Sequence, residues 1–443
     1  TATASTVASA KLAGQVSGFE KAHITAFTTQ TVDLALLDNI SYVTTAGSGA
    51  TSTLSNMASG GTVVDTDTNG TGFTVTVVGS GASTTDSLNW IQTAAAGFDG
   101  GLLTVDGVET LNITGTDSTT ATGITAHTLA VDADAVKEIV VTGNSGIVLT
   151  HTNTGTTVTS VDASAVTGAV TYTAAAFAAA NTVTGSATAA NTVTLTAAAA
   201  VTTYTGSAVG DAIVIDNNSS IDHIINLGNG TNSVKGSTAA DLTTASDGDI
   251  TITGGTGADV VELGAGNSTV NLGDGANTFS AETGNNTYTG GSGVDTVTVT
   301  GGNNTISVGT GLDVVTVGAG ANTITLGAGQ DDIDITGISG SASIYTQIAG
   351  IKATDTIDIT DLDANAATAL ADTTLGGAVI LASTATFAEY LDGASTGATG
   401  DAGAATIDWF QYGGNTYMVV DNASDTTFIA AEDAIVALSG LVD

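Results

Sequence analysis

Residues 254–334 read, in nines, GGTGADVVE, LGAGNSTVN, LGDGANTFS, AETGNNTYT, GGSGVDTVT, VTGGNNTIS, VGTGLDVVT, VGAGANTIT and LGAGQDDID. Nine units hold one register without an insertion. The fourth position is always glycine: Gly257, Gly266, Gly275, Gly284, Gly293, Gly302, Gly311, Gly320 and Gly329. The eighth is always apolar or aromatic: Val261, Val270, Phe279, Tyr288, Val297, Ile306, Val315, Ile324 and Ile333. The sixth is Asp or Asn in every unit but one, which carries Ser268. Such a period marks a solenoid, because a short unit buries its apolar side chain only when the next unit stacks on it.

The pattern is the G-G-x-G-x-D-x-U-x of a calcium-binding parallel β-roll. Two units make one turn, so sixth-position residues of successive units project to opposite edges. The first six residues of a unit form a glycine-rich turn and the last three a short strand. Glycine is required where the turn takes φ values that a side chain resists and where carbonyls approach the ion. The eighth position points inward, and Leu263, Leu272, Val299, Val308, Val317 and Leu326 at the first position thicken the core. With a strand spacing of about 4.8 Å, the uninterrupted roll should be about 20 Å long.

Sorted by edge, the sixth positions are unequal. One edge carries Asp259, Asn277, Asp295, Asp313 and Asp331; the other carries Ser268, Asn286, Asn304 and Asn322, with no carboxylate. Carboxylate and carbonyl oxygens form the oxygen-only cage that suits Ca2+. Ca2+ ligands are therefore expected from Asp259, Asn277, Asp295, Asp313 and Asp331, with the backbone of Gly257, Gly275, Gly293, Gly311 and Gly329. The Asn edge is expected to be weakly metalated or held by Asn and Thr hydrogen bonds. The other reading has Asn replacing Asp as a ligand on both edges. Asp274, at a third position, is expected to be solvated rather than ligating.

Charge points the same way. The chain of 443 residues has 43 acidic residues against five lysines (Lys11, Lys21, Lys137, Lys235, Lys352) and no arginine, a net charge of −38. Such a chain repels nucleic acid and anionic membrane, and repels itself unless cations intervene. No cysteine occurs, which excludes disulfides and thiol chemistry. No apolar run reaches the length of a membrane span. Aromatics make up only 4%, which favours thin stacked β architecture over a wide core. Thr1 in place of Met reads as a trimmed or processed start, with upstream parts expected outside this sequence.

Working outward, LGNGTNSVK at 227–235 is a full unit lying three periods before residue 254, with a loosened section from 236 to 253. Residues 218–334 are assigned to the RTX calcium-binding roll. Residues 100–217 hold strand-like phrases of irregular length, such as GVETLNITG and NTVTGSATAANTVTLTAA, punctuated by turn signals at 144–146 and 162–164. They are expected to form an irregular parallel β-solenoid; strand spacing alone leaves an antiparallel β-sandwich open. Residues 1–99 form a mixed or β-rich N-terminal region: one or two short helices before about residue 47, a Gly/Ser/Thr-rich loop at 48–61, a strand at 71–79, and a short helix around Trp90. Residues 335–443 are expected to cap the roll, with DTIDITDLDA at 355–364, a short helix in TFAEYLDGAS, then a hairpin and a last strand bearing Trp409, Phe410, Tyr412 and Tyr417 as a small aromatic core. The fold class is thus all-β, a parallel β-solenoid that includes a calcium-binding roll.

Catalytic signals are absent. His23, His127, His151 and His223 show no metal spacing and are expected on the surface or in turns. The pairs Asp132/Asp134 and Asp361/Asp363 read as Ca2+ ligands or loop charges rather than glycosidase acids. No G-x-S-x-G elbow or phosphate loop occurs, and the chain reads as no enzyme.

With roll and tail in view, the chain resembles secreted bacterial RTX proteins, and more narrowly the RTX-containing surface-layer proteins of Gram-negative bacteria. The roll at 254–334, the phrases AEYLDGAS, DWFQYGGNTYMVVDNAS and AIVALSGLVD, and the Ala/Thr richness carry that resemblance. It implies type I secretion through an uncleaved C-terminal signal, folding in external Ca2+, and self-association into a two-dimensional lattice at the cell surface. It also implies anchoring to lipopolysaccharide through an N-terminal region that no motif here matches. An RTX adhesin or biofilm matrix protein is the alternative, and an RTX-exported hydrolase a third class.

Overall fold

A computed structural model describes residues 20–24, 31–37, 39–79, 85–119, 126–152, 157–174, 177, 179–195, 200–215, 221–236, 248–337, 344–359, 362, 374–395, 406–421, 427–430 and 433–440. The chain divides into two units, Thr1–Ser237 and Thr238–Asp443. Nearly all described elements are strands, and those of the solenoid pair in parallel.

In the first unit strands go alternately to two parallel sheets. Ser87–Ala94 pairs with Gly61–Asp65 and Thr110–Asp117, while Asp99–Asp106, between them in sequence, pairs with Phe73–Val77 and His127–Asp132. Alternation of burial explains the arrangement: within Phe73–Val77 residues 73, 75 and 77 are buried and 74 and 76 are not. Phe73 and Trp90, on facing sheets, meet at 5.4 Å between ring centroids. Rung length drifts, since Trp90 aligns with Ile113, Ile113 with Val141, and Tyr204 with Ile225. The parallel ladders exclude the sandwich topology.

Several local expectations are corrected. Around residue 90 there is no helix; Leu88, Trp90 and Gln92 point inward from the strand Ser87–Ala94, a period of two that the Ala run downstream obscured. The presumed loop at 48–61 contains the strand Ser52–Met57, which buries Leu54 and Met57. Of the N-terminal residues, Ala22–Ile24, Thr31–Asp33 and Tyr42–Thr45 are strands, with one 3-10 turn at Leu34–Leu37; residues 1–19 and 25–30 lie outside the described set. Asp162 to Ser164 sit inside the strand Ser160–Val166, where the register shifts at a bulge. His127, His151 and His223 are buried rather than superficial; only His23 is exposed. The degenerate stretch 237–247 and Asp361 and Asp363 lie outside the described residues.

The second unit begins with the roll. Here the register is constant: Val261, Phe279, Val297, Val315 and Ile333 stack on one sheet, and Val270, Tyr288, Ile306 and Ile324 on the other. All nine are buried. Phe279 and Tyr288 stack face to face at 5.4 Å across the thin core. The next strand of one sheet, Thr346–Ala349, pairs with Ala434–Leu438, which runs antiparallel to Asn415–Asp421; that strand forms a hairpin with Thr406–Tyr412. The helix Phe387–Ala394 starts at a capping box between Thr386 and Glu389 and packs Leu391 and Ala394 against Phe410, Tyr417 and Val419.

Candidate metal centre

The roll's turns stack more closely than any side chain allows at the fourth position. A Cβ on Gly275 would lie 1.7 Å from the Gly257 carbonyl oxygen, and one on Gly311 1.8 Å from that of Gly293. Gly257, Gly275, Gly293 and Gly329 also hold positive φ. Glycine is thus imposed by contact at this position, and the carbonyls form a column along each edge.

Beside each column runs a ladder of buried sixth-position side chains. On the Asp edge Asp259 N–H donates to Asn277 Oδ1 at 3.0 Å, Asn277 to Asp295 at 3.1 Å, Asp295 to Asp313 at 2.8 Å, and Asp313 to Asp331 at 3.1 Å. On the other edge Ser268, Asn286 and Asn304 donate in the same way to Asn286, Asn304 and Asn322, at 3.0, 2.9 and 3.1 Å. One oxygen of each accepting Asp or Asn is therefore used identically, and the second terminal atom makes the difference.

In Asn that atom is a donor. Asn304 Nδ2 reaches the carbonyls of Gly301 and Gly302, both at 3.1 Å, and Asn322 Nδ2 that of Gly318 at 3.0 Å. A second ladder at the fifth position reinforces this edge, with Asn285, Asn303 and Ala321 donating to Asn267, Asn285 and Asn303. Asn277 does the same on the Asp edge, reaching Gly273 and Gly275 at 3.1 and 3.4 Å.

In Asp the second atom is an acceptor set where Asn places a donor. Oδ2 of Asp313 and Asp331 is buried and accepts no hydrogen bond from the protein, whereas the Tyr288 hydroxyl faces the Asp295 carboxyl. A Cβ on Gly290 would touch Asp295 Oδ2 at 1.9 Å and the Val308 carbonyl at 2.5 Å, so glycine there leaves carboxylate and carbonyl oxygens facing one space. Burial pushes the Asp295 carboxyl up to about 6, with Asp313 adding to the rise; burial, then the Asp331 charge, raises Asp313. The donorless buried oxygens of Asp313 and Asp331 fit a hard cation. Among the described residues no three His, Cys, Asp or Glu side chains are grouped for a metal, so carbonyls must complete any site.

The remaining acids behave otherwise. Asp274 is exposed, and Ser292 N–H and Oγ donate to its Oδ1 at 2.9 and 2.8 Å, holding its carboxyl below the usual range. Asp355 extends the Asp ladder by accepting from Asp331 N–H at 3.1 Å. It escaped the sequence reading because the interval to it is longer than two nonapeptides. Asp211 was also missed: Asn191 donates to it at 2.8 Å and it donates to Asn232 at 2.9 Å, the same ladder on longer rungs. The available signal was Gly206-x4-Asp211-x-Ile213, which keeps the first, sixth and eighth positions of a unit and loses the fourth. In the first unit burial also pushes the Asp65 carboxyl up to about 8.

Residues 236–270, 264–297 and 298–333 match the family described as the RTX calcium-binding nonapeptide repeat. RTX nonapeptide repeats bind Ca2+, and they imply a secreted calcium-binding protein. No curated protein matches the chain. No described helix is long and apolar enough to cross a membrane.

Proposed function

We propose that the protein is a structural surface-layer component that orders in external Ca2+ and self-associates into a two-dimensional lattice at the bacterial cell surface. The observation that carries this reading is the run of carboxylates Asp295, Asp313 and Asp331, with Oδ2 of Asp313 and Asp331 buried and without a donor, in a chain of net charge −38 with five lysines. Ca2+ is assigned to the Asp edge, with Asp259, Asp295, Asp313 and Asp331 supplying carboxylates, Asn277 an amide oxygen, and Gly257, Gly275, Gly293, Gly311 and Gly329 backbone carbonyls. Weak extracellular-type sites stay empty at cytosolic Ca2+, so ordering of the roll follows export.

The lattice reading draws on charge. Copies this acidic repel one another until divalent ions bridge their faces. A protein built of regular rungs, with sparse aromatics and no catalytic motif in its sequence, suits a structural role better than turnover. Anchoring to lipopolysaccharide belongs to the same reading and rests on the resemblance to surface-layer proteins. Light scattering with negative-stain microscopy across a titration from EDTA to millimolar Ca2+ is the test. Ordered sheets that form with Ca2+ and disperse in EDTA support the lattice. A monomer that gains only β structure overturns it and favours the adhesin.

A further inference from the structure

Outside the nonapeptides, Asp65, Asn69 and Gln92 of the first unit each bury one side-chain oxygen that no geometrically formed hydrogen bond reaches, with the backbone N–H groups of Asp67 and Thr66 lying toward the Asp65 carboxyl. Asp65 ends the strand Gly61–Asp65, and Gln92 is its register partner in the neighbouring rung. Asn69 Nδ2 donates to Asp65 Oδ2 at 2.5 Å, and Gln92 Nε2 donates to the Thr128 carbonyl at 3.2 Å. Those donations fix which end of each amide is nitrogen. They leave Asp65 Oδ1, Asn69 Oδ1 and Gln92 Oε1 buried and accepting no hydrogen bond from the protein. Asp65 and Gln92 are 0% exposed and Asn69 is 1% exposed.

Glycine lets the facing strand close onto these side chains. The strand Asp99–Asp106 of the facing sheet passes this cluster with Gly100 and Gly101. A Cβ on Gly100 would lie 2.3 Å from Gln92 Nε2, and one on Gly101 2.6 Å from the Asn69 carbonyl oxygen. The roll shows the same device, where Gly290 gives way to Asp295 Oδ2.

We propose that Asp65, Asn69 and Gln92 hold a Ca2+ ion through Oδ1, Oδ1 and Oε1, in a site outside the nonapeptide repeats. Three oxygens and no nitrogen or sulfur define a hard-cation site. A buried water supplies hydrogens but no charge, whereas a buried carboxylate needs a counter-charge. No Lys or Arg occurs between residues 22 and 136, so the chain itself offers none nearby in sequence. One carboxylate with two amides binds more weakly than successive Asp rungs, and this ion fills after those of the roll.

Trp90 provides the readout. It lies two residues before Gln92 on the same strand, buried and facing the same way, about 7 Å along the chain. Indole excites bound terbium, and the only other tryptophan is Trp409. The full chain carrying Trp409→Phe is titrated with terbium, excited at the red edge of indole absorption, and then back-titrated with Ca2+. Sensitised emission displaced by Ca2+ is expected, with Asp65→Asn abolishing it and Asp313→Asn leaving it unchanged. Emission that survives Asp65→Asn, or no emission at all, overturns the site. Should Asp65→Asn disturb folding by circular dichroism, Gln92→Glu decides: a second carboxylate is expected to tighten Ca2+ displacement about tenfold, and unchanged or weaker displacement overturns the proposal. Loss of this emission without loss of lattice or roll ordering separates this site from the surface-layer reading.

Discussion

Asp211 in the first unit and Asp313 in the second hold the same place in the same ladder and are satisfied in opposite ways. Each accepts a backbone N–H from the rung before it through Oδ1. Asp211 Oδ2 then takes Ser207 N–H at 2.8 Å and the Tyr204 hydroxyl at 3.2 Å, while its Oδ1 also takes Ser207 Oγ at 3.0 Å. The protein supplies every donor that this carboxylate needs. Asp313 Oδ2 has none. Tyr204 comes from the preceding strand, as Tyr288 does beside Asp295 in the roll, and Ser207 from the turn; the corresponding residues before Asp313 are Ile306 and Gly309, which donate nothing from a side chain. A rung that offers a serine and a tyrosine stabilises its acid internally; one that offers glycine and isoleucine leaves the oxygen to a cation.

The largest test of that contrast is removal of the metal. Hydrogen exchange in EDTA should strip protection from residues 254–334 while strands such as Ser87–Ala94 and Thr110–Asp117 keep theirs. Uniform loss across both units would break the comparison. Next in size is Asp211→Asn, which turns an NH2 group toward Ser207 N–H or the Tyr204 hydroxyl. It should destabilise by about 2 kcal/mol with or without Ca2+, measured by urea unfolding followed at the first unit.

Asp313→Asn should change sign with the medium. Its new Nδ2 takes the place that Asn304 Nδ2 takes toward Gly301 and Gly302. In EDTA it should stabilise by about 1 kcal/mol; in Ca2+ it should destabilise and lower the ion stoichiometry measured by calorimetry. The smallest effect is that of pH. Burial raises the Asp295 carboxyl to about 6 in the folded, metal-free chain against an ordinary 3.8, so its contribution is fully present below 3.8 and is lost as pH rises through about 6. Melting in EDTA should therefore fall across that window. Stabilisation by Ca2+ should grow across it, since the ion competes with the proton.

Much of the roll was legible. The glycine at every fourth position and the apolar eighth position required stacked short rungs, and the inequality of Asp and Asn edges was visible as letters. Less was legible in the first unit, because rung length there varies and no fixed offset connects one rung to the next. Trp90 looked helical beside an Ala run, although Leu88, Trp90 and Gln92 alternate as a strand does. Buried histidines were misplaced because His151 closes a strand whose neighbours already face inward, and burial pushes its imidazole down to about 4.

The sequence by itself determined the periodic half of this protein: where the turns fall, which side chains form the core, and that oxygen ligands recur on one edge. Period alone does this, since identical spacing forces identical neighbours. Only the tertiary structure decided which carboxylates lack a donor. Asp211, Asp274 and Asp313 are one residue type, yet one is met by Ser207 and Tyr204, one by Ser292 from the adjoining turn, and the Oδ2 of the third by no donor. Hydrogen bonds between rungs are set by what stacks in space, and in rungs of unequal length that is not written at any fixed distance along the chain.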